Sequence, residues 1–348
     1  MEYQYNYGVQ NNGYYQQPGG FYAPGLPQFD RRGERKRIFA ISGFSAGAII
    51  SFLVLSFLVG STARLVFPDF DKMLDDSFFF NSLNMFSSAV LIFIPFLVAY
   101  LLMKKRKIAG ELVLGAPYDK KNFALLIPVG LMICIIGNLA TSYFSMFVDN
   151  VFGIEFLTPD DYSDYNSVSG LIMAVVSTAI IPAFVEEFAI RGVVMQSLRR
   201  YGDKYAIIMS ALVFALMHGN MIQIPFAFIA GIGIGYAVVK TGTMWTGIII
   251  HFINNLTAVF SLAAYENLSE ANMALFSSVL YIAVFALGIV CLIIYSRRNP
   301  GFISSFSKGE VYYLRTSEKV GRFLLNPLML ISICVLCVET ATYIKFGG

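Results

Sequence analysis

A glutamate pair and an arginine interrupt one of the most apolar parts of the sequence. The segment "VEEFAIRG" places Glu186, Glu187 and Arg191 directly after the uncharged "SGLIMAVVSTAIIPAF". A carboxylate in such surroundings can act as a general base, and a guanidinium can hold a second carboxylate. On a helix Glu187 and Arg191 lie four residues apart on one face and can pair, whereas Glu186 points about 100° away from Glu187. Glu186 therefore needs another partner or another task.

Both histidines of the chain lie in similar apolar segments. His218 ends "FALMH", with Phe214 one helical turn before it, and His251 begins "HFINN", with Asn255 one turn after it. A single helical histidine is more often a packing residue than a catalyst, but two of them beside an asparagine favour a site. Counted along the predicted helices at 1.5 Å per residue, Glu186 and these three polar residues fall within about two turns in depth. We expect them to line one chamber that opens towards the cytoplasmic side.

The composition indicates that the elements positioning these residues cross a membrane. Of the 348 residues, 57% are hydrophobic and 14% charged, and the mean hydropathy is +0.65. Soluble domains carry roughly 25% charged residues, and a spanning helix needs about 20 apolar ones. The sequence predicts an all-α polytopic membrane protein with eight or nine transmembrane helices and a catalytic chamber inside the bundle. Helices are predicted over 38–62, 83–103, 123–148, 169–198, 205–220, 224–239, 243–264, 273–296 and 323–344, of which the fifth and sixth are short enough to be partly re-entrant.

The basic residues predict the orientation, because Lys and Arg crowd short cytoplasmic loops. With the N-terminus in the cytoplasm and nine crossings, the 25 Lys and Arg fall on the cytoplasmic side with four exceptions. The exceptions are Arg64, Lys72, Arg191 and Lys345. We predict a multi-pass protein of the plasma membrane, whose partners are the bilayer and a membrane-associated protein or peptide. The net charge of +3 reflects this anchoring and does not indicate a nucleic-acid partner.

The chain divides into four predicted parts. Residues 1–37 form a cytoplasmic tail, predicted to be disordered because it is rich in Tyr, Gln, Asn, Gly and Pro and lacks apolar periodicity. Residues 38–168 supply the N-terminal transmembrane helices, and 169–296 form the catalytic core. Residues 297–348 form a cytoplasmic loop and the last transmembrane helix.

The three motifs resemble those of a protease family. "EEFAIR", "FALMH" and "HFINN" fit, in order, the signatures EExxxR, FxxxH and HxxxN of the CPBP intramembrane proteases. This CAAX protease and bacteriocin-processing, or Abi, family includes the type II CAAX prenyl endopeptidases. The segment "TGTMWTGIIIHFINNLTAV" is similar to the third family segment along its whole length, and the resemblance covers about residues 169–296.

The resemblance implies an intramembrane endopeptidase that hydrolyses a peptide bond of a membrane-associated protein or peptide, of which a CAAX-type prenylated protein is one example. Glu186 would be the general base, with His218 holding the same water. His251 and Asn255 would stabilise the oxyanion. The supporting residues would be Glu187, Arg191 and Phe214.

Cofactor and function each have an alternative. We expect no metal, because the zinc-binding pattern H-E-x-x-H is absent, but one divalent metal such as zinc could bind His218, His251 and Glu186. The chain could instead be a catalytically silent membrane scaffold or a bacteriocin-immunity factor that keeps the motifs for its fold. A proton-coupled transporter using Glu186 and Glu187 is a third possibility, although the sequence lacks the internal repeats common in transporters. The sequence does not define the substrate.

Overall fold

The computed structural model describes residues 30–302 and 314–346, which are almost entirely helical. Of the tail 1–37 that was predicted to be disordered, residues 1–29 lie outside the described residues, as does 303–313 of the predicted cytoplasmic loop. For residues 31–37 the prediction is wrong: they are helical, because Asp30 caps the first turn by accepting from Gly33 N–H at 2.7 Å. The elements in order are α1 (Arg31–Val66), α2 (Phe70–Met73), α3 (Ser77–Lys105), α4 (Lys120–Phe152), β1 (Ile154–Phe156), α5 (Val168–Arg199), α6 (Asp203–Leu216), α7 (Ile224–Thr241), α8 (Met244–Asn267), α9 (Glu270–Arg298), α10 (Thr316–Leu324), α11 (Pro327–Thr342) and β2 (Ile344–Phe346).

The predicted all-α polytopic architecture is confirmed. Within the described ranges, seven helices are long and apolar enough to cross a membrane, or eight if the bent pair α10–α11 forms one span. The nine crossings of the upper prediction are not reached, because α6 is too short. Its 14 residues extend about 21 Å at 1.5 Å per residue, less than the roughly 30 Å of a hydrocarbon core.

Helix ends meet at two opposite faces of the bundle. On the first, which we call the basic face, Arg31 and Arg35 both bind Glu318 at the start of α10. Arg35, a backbone N–H and Arg31 lower the pKa of Glu318 to about 2, so this carboxylate stays ionised. On the same face Arg298 at the end of α9 contacts Asp119 before α4 at 3.1 Å.

The acidic face lies at the other end of the same helices. The backbone N–H of Asp164 donates to Ser77 Oγ at 2.7 Å, and Asn166 donates to Glu266 at 3.0 Å. Strands β1 and β2 pair antiparallel here, after the ends of α4 and α11. The loops thus divide between the basic face and the acidic face as the predicted alternation of crossings requires. That the basic face lies in the cytoplasm stays a prediction.

Helices α6 and α7 form a hairpin that starts and ends at the basic face. At its start Asp203 binds Arg199 at 2.7 Å, and at its end the carbonyl of Thr241 accepts from Tyr118 N–H at 2.9 Å. The turn between the two helices carries His218. Gly219, which follows, has a φ of 64°, a left-handed conformation that glycine adopts without steric cost. The hairpin is the means by which His218 reaches the interior.

The predicted last helix, 323–344, is not continuous. Helices α10 and α11 meet at an angle of 70°. Pro327 lacks an N–H group and cannot continue the α10 helix, but it suits the first turn of a new one. Asn326 caps that turn by accepting from Leu328 N–H at 3.0 Å.

Candidate active site

Glu187 and Arg191 form the buried centre of the site. Both side chains are inaccessible to solvent, and Arg191 Nη1 donates to Glu187 Oε1 at 2.7 Å. The guanidinium carbon lies 4.6 Å from the ring centroid of Phe214, and Nη2 reaches the carbonyl of Gly231 at 3.5 Å. The predicted pairing of Glu187 with Arg191 is confirmed. Because each charge is the other's counter-ion, the pair is retained in a region without water.

His251 lies between the two glutamates. Its Nδ1 is 3.1 Å from Glu187 Oε1, and its Nε2 is 3.8 Å from Glu186 Oε2. The sequence motifs did not reveal the contact with Glu187, which joins residues 64 positions apart. Gly247, one turn before His251, makes the approach possible, since a Cβ there would lie 2.5 Å from Glu187 Oε2. The sequence feature that could have indicated this contact is the glycine four residues before His251.

His218 is held by the backbone of its own helix end. Nδ1 bonds the carbonyl oxygen of Phe214 at 2.8 Å, which leaves Nε2 for the interior. The Phe214 ring also packs edge-on against both imidazoles, with centroids 4.8 Å from His218 and 5.8 Å from His251. Phe214 therefore lies between the two histidines, and its supporting role stays a prediction.

Asn255 is anchored to the neighbouring helix α5. Its Nδ2 donates to the carbonyl of Thr178 at 2.9 Å, and its Oδ1 accepts from Asn254 at 3.1 Å. Thr178 belongs to a π-helical segment, Val175–Ile180, and a second π-helical segment, Phe188–Met195, follows the glutamate pair. Such segments often accompany functional sites. The sequence did not predict Thr178, because π-helical turns have no simple sequence pattern, nor the contact of Asn254, which lies on the regular helix α8.

One chamber of about 730 Å³ gathers the four predicted catalytic residues Glu186, His218, His251 and Asn255. The prediction that they line a common chamber is confirmed. A smaller cavity of about 230 Å³ adjoins the other side of Glu186 and His218, and its remaining walls are mostly apolar. The side chain of Glu186 is 22% exposed, whereas that of Glu187 is fully buried.

The chamber extends towards the acidic face. Ser142 and Ala258 at its rim are exposed, and Leu262 is 43% exposed. At its opposite end Cys134 and Ile234 are each only 2% exposed. The lining is thus exposed towards the acidic face and not at the basic face, while the assignment of either face to the cytoplasm stays a prediction. Distances along single helices gave the depth of the site, but they could not show which end the neighbouring helices and loops cover.

The side chains do not form a metal-binding set. The described ranges, 30–302 and 314–346, contain no group of three or more His, Cys, Asp or Glu residues that could hold a metal ion. Nδ1 of His218 is bonded to Phe214 O, and Nδ1 of His251 to Glu187. Nε2 of each ring is left to face the chamber, so both the expectation of no metal and the alternative zinc site of His218, His251 and Glu186 stay predictions.

Comparison with protein families gives one match, and it covers the site. Residues 168–257 match the family described as type II CAAX prenyl endopeptidase Rce1-like. The chain carries an Rce1-like segment. This match confirms the resemblance to CAAX proteases, and the segment begins with α5 and contains all three motifs. The chamber walls contributed by α3, α4 and α9 lie outside it. Neither curated proteins nor solved structures gave a match.

Proposed function

We propose that the protein is an intramembrane endopeptidase that hydrolyses a peptide bond of a membrane-associated protein or peptide. The observation that carries this proposal is the convergence of Glu186, His218, His251 and Asn255 on one chamber within the Rce1-like segment. Peptide hydrolysis needs an activated water, a stabilised oxyanion and a proton for the leaving amine. The four residues can supply all three.

Glu186 is the general base in this proposal. It lines the chamber, whereas Glu187 is buried and already bonded to Arg191 and His251. His218 donates from Nδ1 to the Phe214 carbonyl, so its Nε2 can accept a hydrogen from a water molecule. Glu186 takes the other hydrogen as the water oxygen attacks the peptide carbonyl. It then delivers that proton to the leaving nitrogen as the C–N bond breaks, which yields a carboxylic acid and an amine.

His251 and Asn255 form the proposed oxyanion site. Because Nδ1 of His251 donates to Glu187, Nε2 can also donate only when the ring carries both protons. One amide N–H of Asn255 donates to the Thr178 carbonyl. The second N–H remains to donate to the oxyanion. No step runs through a metal.

The contacts of Glu187 also bear on the transporter alternative. A proton carrier has to release its partners in each cycle, but Glu187 is fully buried and bonded to both Arg191 and His251. This arrangement suits a fixed structural counter-ion. The silent-scaffold alternative differs from the endopeptidase in one observable, the appearance of cleaved peptides. The plasma membrane and the cytoplasmic N-terminus remain part of the proposal.

The experiment compares the membrane and secreted peptidomes of cells that carry the wild type, Glu186→Ala or Glu155→Ala. Glu155 is a matched control, because it is an exposed glutamate on β1 that pairs with Lys345 and does not line the chamber. We expect a set of peptides with new termini in wild-type and Glu155→Ala cells that is missing from Glu186→Ala cells. Identical peptidomes in all three would contradict the proposal and favour a scaffold.

A further inference from the structure

The chamber is closed below the catalytic residues, on the side of the basic face. Segment 108–119, which joins α3 to α4, lies across that end of the bundle. Its Val113 carbonyl accepts from Met244 N–H at 2.7 Å, and its Gly110 N–H donates to Ser197 Oγ at 3.0 Å. The contact at Gly110 leaves no space, since a Cβ there would lie 2.2 Å from the backbone carbon of Gln196. This segment separates the site from the basic face.

A layer of apolar side chains reinforces this closure. Val194, Met195, Leu198 and Val238 have no exposed surface, and Met244 is 2% exposed. The walls of the smaller cavity beside Glu186 come from α1, α3, α5 and the α6–α7 hairpin at the depth of the site. No lining residue of either cavity in the described ranges belongs to segment 108–119.

The opposite half of the chamber is polar but nearly uncharged. Besides Glu186 and the two histidines, its described lining carries no group that is charged at neutral pH. Hydroxyl and carboxamide side chains recur instead, on four helices, and such groups can hydrogen-bond a peptide backbone. These four helices contribute Asn84, Ser87, Ser88, Asn138, Ser142, Ser177, Thr178, Asn254, Asn255, Thr257 and Ser261, and Gln223 before α7 and Tyr281 on α9 add one carboxamide and one hydroxyl.

The polar half has the dimensions of an extended peptide. Ser261 lies ten residues beyond His251 on α8, about 15 Å nearer the acidic face at 1.5 Å per residue. An extended chain advances about 3.3 Å per residue, so about four or five residues fit between the site and the rim. A neighbouring apolar groove of about 460 Å³ between α8 and α9 shares Thr257 and Leu280 with the chamber.

We infer that the substrate enters from the acidic face as an uncharged, extended segment of a membrane-anchored peptide. With the basic face in the cytoplasm, as predicted, this segment is presented on the extracytoplasmic side. A prenylated C-terminal tail in the cytoplasm would meet the covered end of the bundle. The inference rests on the proposed endopeptidase function and names the substrate class of the same site.

Cysteine accessibility tests the route without requiring a known substrate. The exposed Cys334 and Cys337 are replaced by alanine, while Cys134 and Cys291 are buried and stay. Single cysteines are then introduced as Ser261→Cys in the chamber, Asp75→Cys on the acidic face and Lys105→Cys on the basic face. A charged, membrane-impermeant maleimide is added to right-side-out or inverted vesicles, and the background chain without a new cysteine gives the blank.

We expect Ser261→Cys and Asp75→Cys to react when the maleimide is added to the outside of right-side-out vesicles. Lys105→Cys should react only when the maleimide is added to inverted vesicles. Labelling of Ser261→Cys from the Lys105→Cys side, or from neither side, would overturn the inference. Reaction of Asp75→Cys from the cytoplasmic side would overturn the extracytoplasmic assignment. Ser142→Cys, on a different helix of the rim, repeats the test if Ser261→Cys does not fold.

A second readout connects the route to proteolysis. The maleimide adduct on Ser261→Cys should remove most of that variant's own activity, whereas the adduct on Asp75→Cys should not. An adduct that reacts fully and leaves proteolysis intact would contradict the substrate route. Failure of the proposed endopeptidase function gives a different result from failure of the substrate route. In that case the three cysteines would react from the expected sides, but no peptide cleavage would depend on Glu186.

Discussion

Nδ1 of His251 lies 3.1 Å from Oε1 of Glu187, although the two residues are 64 positions apart in the chain. The same oxygen accepts from Arg191 at 2.7 Å. Glu187 therefore fixes both the orientation of the His251 ring and the spacing of α5 from α8. Its adjacent neighbour Glu186 remains available to the chamber. Two consecutive carboxylates thus have different tasks because the helix points them in different directions.

Gly247 is the position at which this contact can be disturbed without touching its partners. A Cβ there would lie 2.5 Å from Glu187 Oε2 and 2.9 Å from Val238 Cγ2. Gly247→Ala should push α8 away from Glu187 and lower both the melting temperature and the rate of proteolysis. Gly47→Ala on α1 is the control, because nothing lies within 4 Å of its Cβ. The control should be neutral or stabilising by up to about 1 kcal/mol. Equal behaviour of the two variants in thermal unfolding would contradict the close-contact account.

Arg191→Ala should destabilise the protein strongly. The change leaves Glu187 fully buried without its cation, and breaking a buried pair in this way typically costs about 3–5 kcal/mol. Arg64→Ala removes an ion pair whose side chains are 57% and 73% exposed, and it should barely change the melting temperature. Thermal unfolding in detergent compares the two. If Arg191→Ala proves as stable as Arg64→Ala, the pair does not support the fold.

Asn255→Ala should slow catalysis by roughly 10²–10³-fold, as loss of an oxyanion donor does. The substitution removes the second amide N–H of Asn255, the one that does not donate to the Thr178 carbonyl. We expect kcat to fall with little change in KM, because the donor acts mainly in the transition state. Asn267→Ala, an exposed change at the end of the same helix, is the control. A rise in KM at constant kcat would instead place Asn255 in ground-state binding.

Removal of metal should leave activity intact. The described residues offer no three-ligand group, although both histidines keep Nε2 for a ligand. The purified enzyme is treated with a strong chelator and assayed, and its metal content is measured by elemental analysis. We expect no stoichiometric metal and unchanged turnover. About one zinc per chain, with activity lost on chelation and restored by zinc, would reassign His218, His251 and Glu186 as ligands.

Much of the architecture follows from the sequence, because apolar runs and basic loops act over single helices. The spans near 169–198 and 243–264 match α5 and α8 to within three residues at each end, and the pairing of Glu187 with Arg191 follows from helical spacing alone. The break between α10 and α11 also has a sequence cause, because Pro327 cannot continue a helix. The sequence motifs predicted which residues meet in the chamber, because each motif lies on one helix or at its end.

The parts that were missed depend on contacts between distant segments. The bond from Glu187 to His251 needs the packing of α8 on α5. The direction of the chamber depends on segment 108–119, whose backbone bonds to Met244 and Thr241 have no periodic signature. Depth along a helix is a local property, whereas access to solvent depends on which elements cover each end.

The most direct measurement of the central claim is turnover by Glu186→Gln on a peptide that spans a cleavage junction found in the peptidome comparison. The substitution keeps the size of the side chain but removes the base. Glu155→Gln serves as control, since Glu155 pairs with Lys345 on the exposed β ribbon. The account predicts a loss of roughly 10²–10⁴-fold for Glu186→Gln, at a melting temperature close to that of the wild type and of Glu155→Gln. Turnover by Glu186→Gln equal to that of the control would contradict the assignment of Glu186 as the base that activates water.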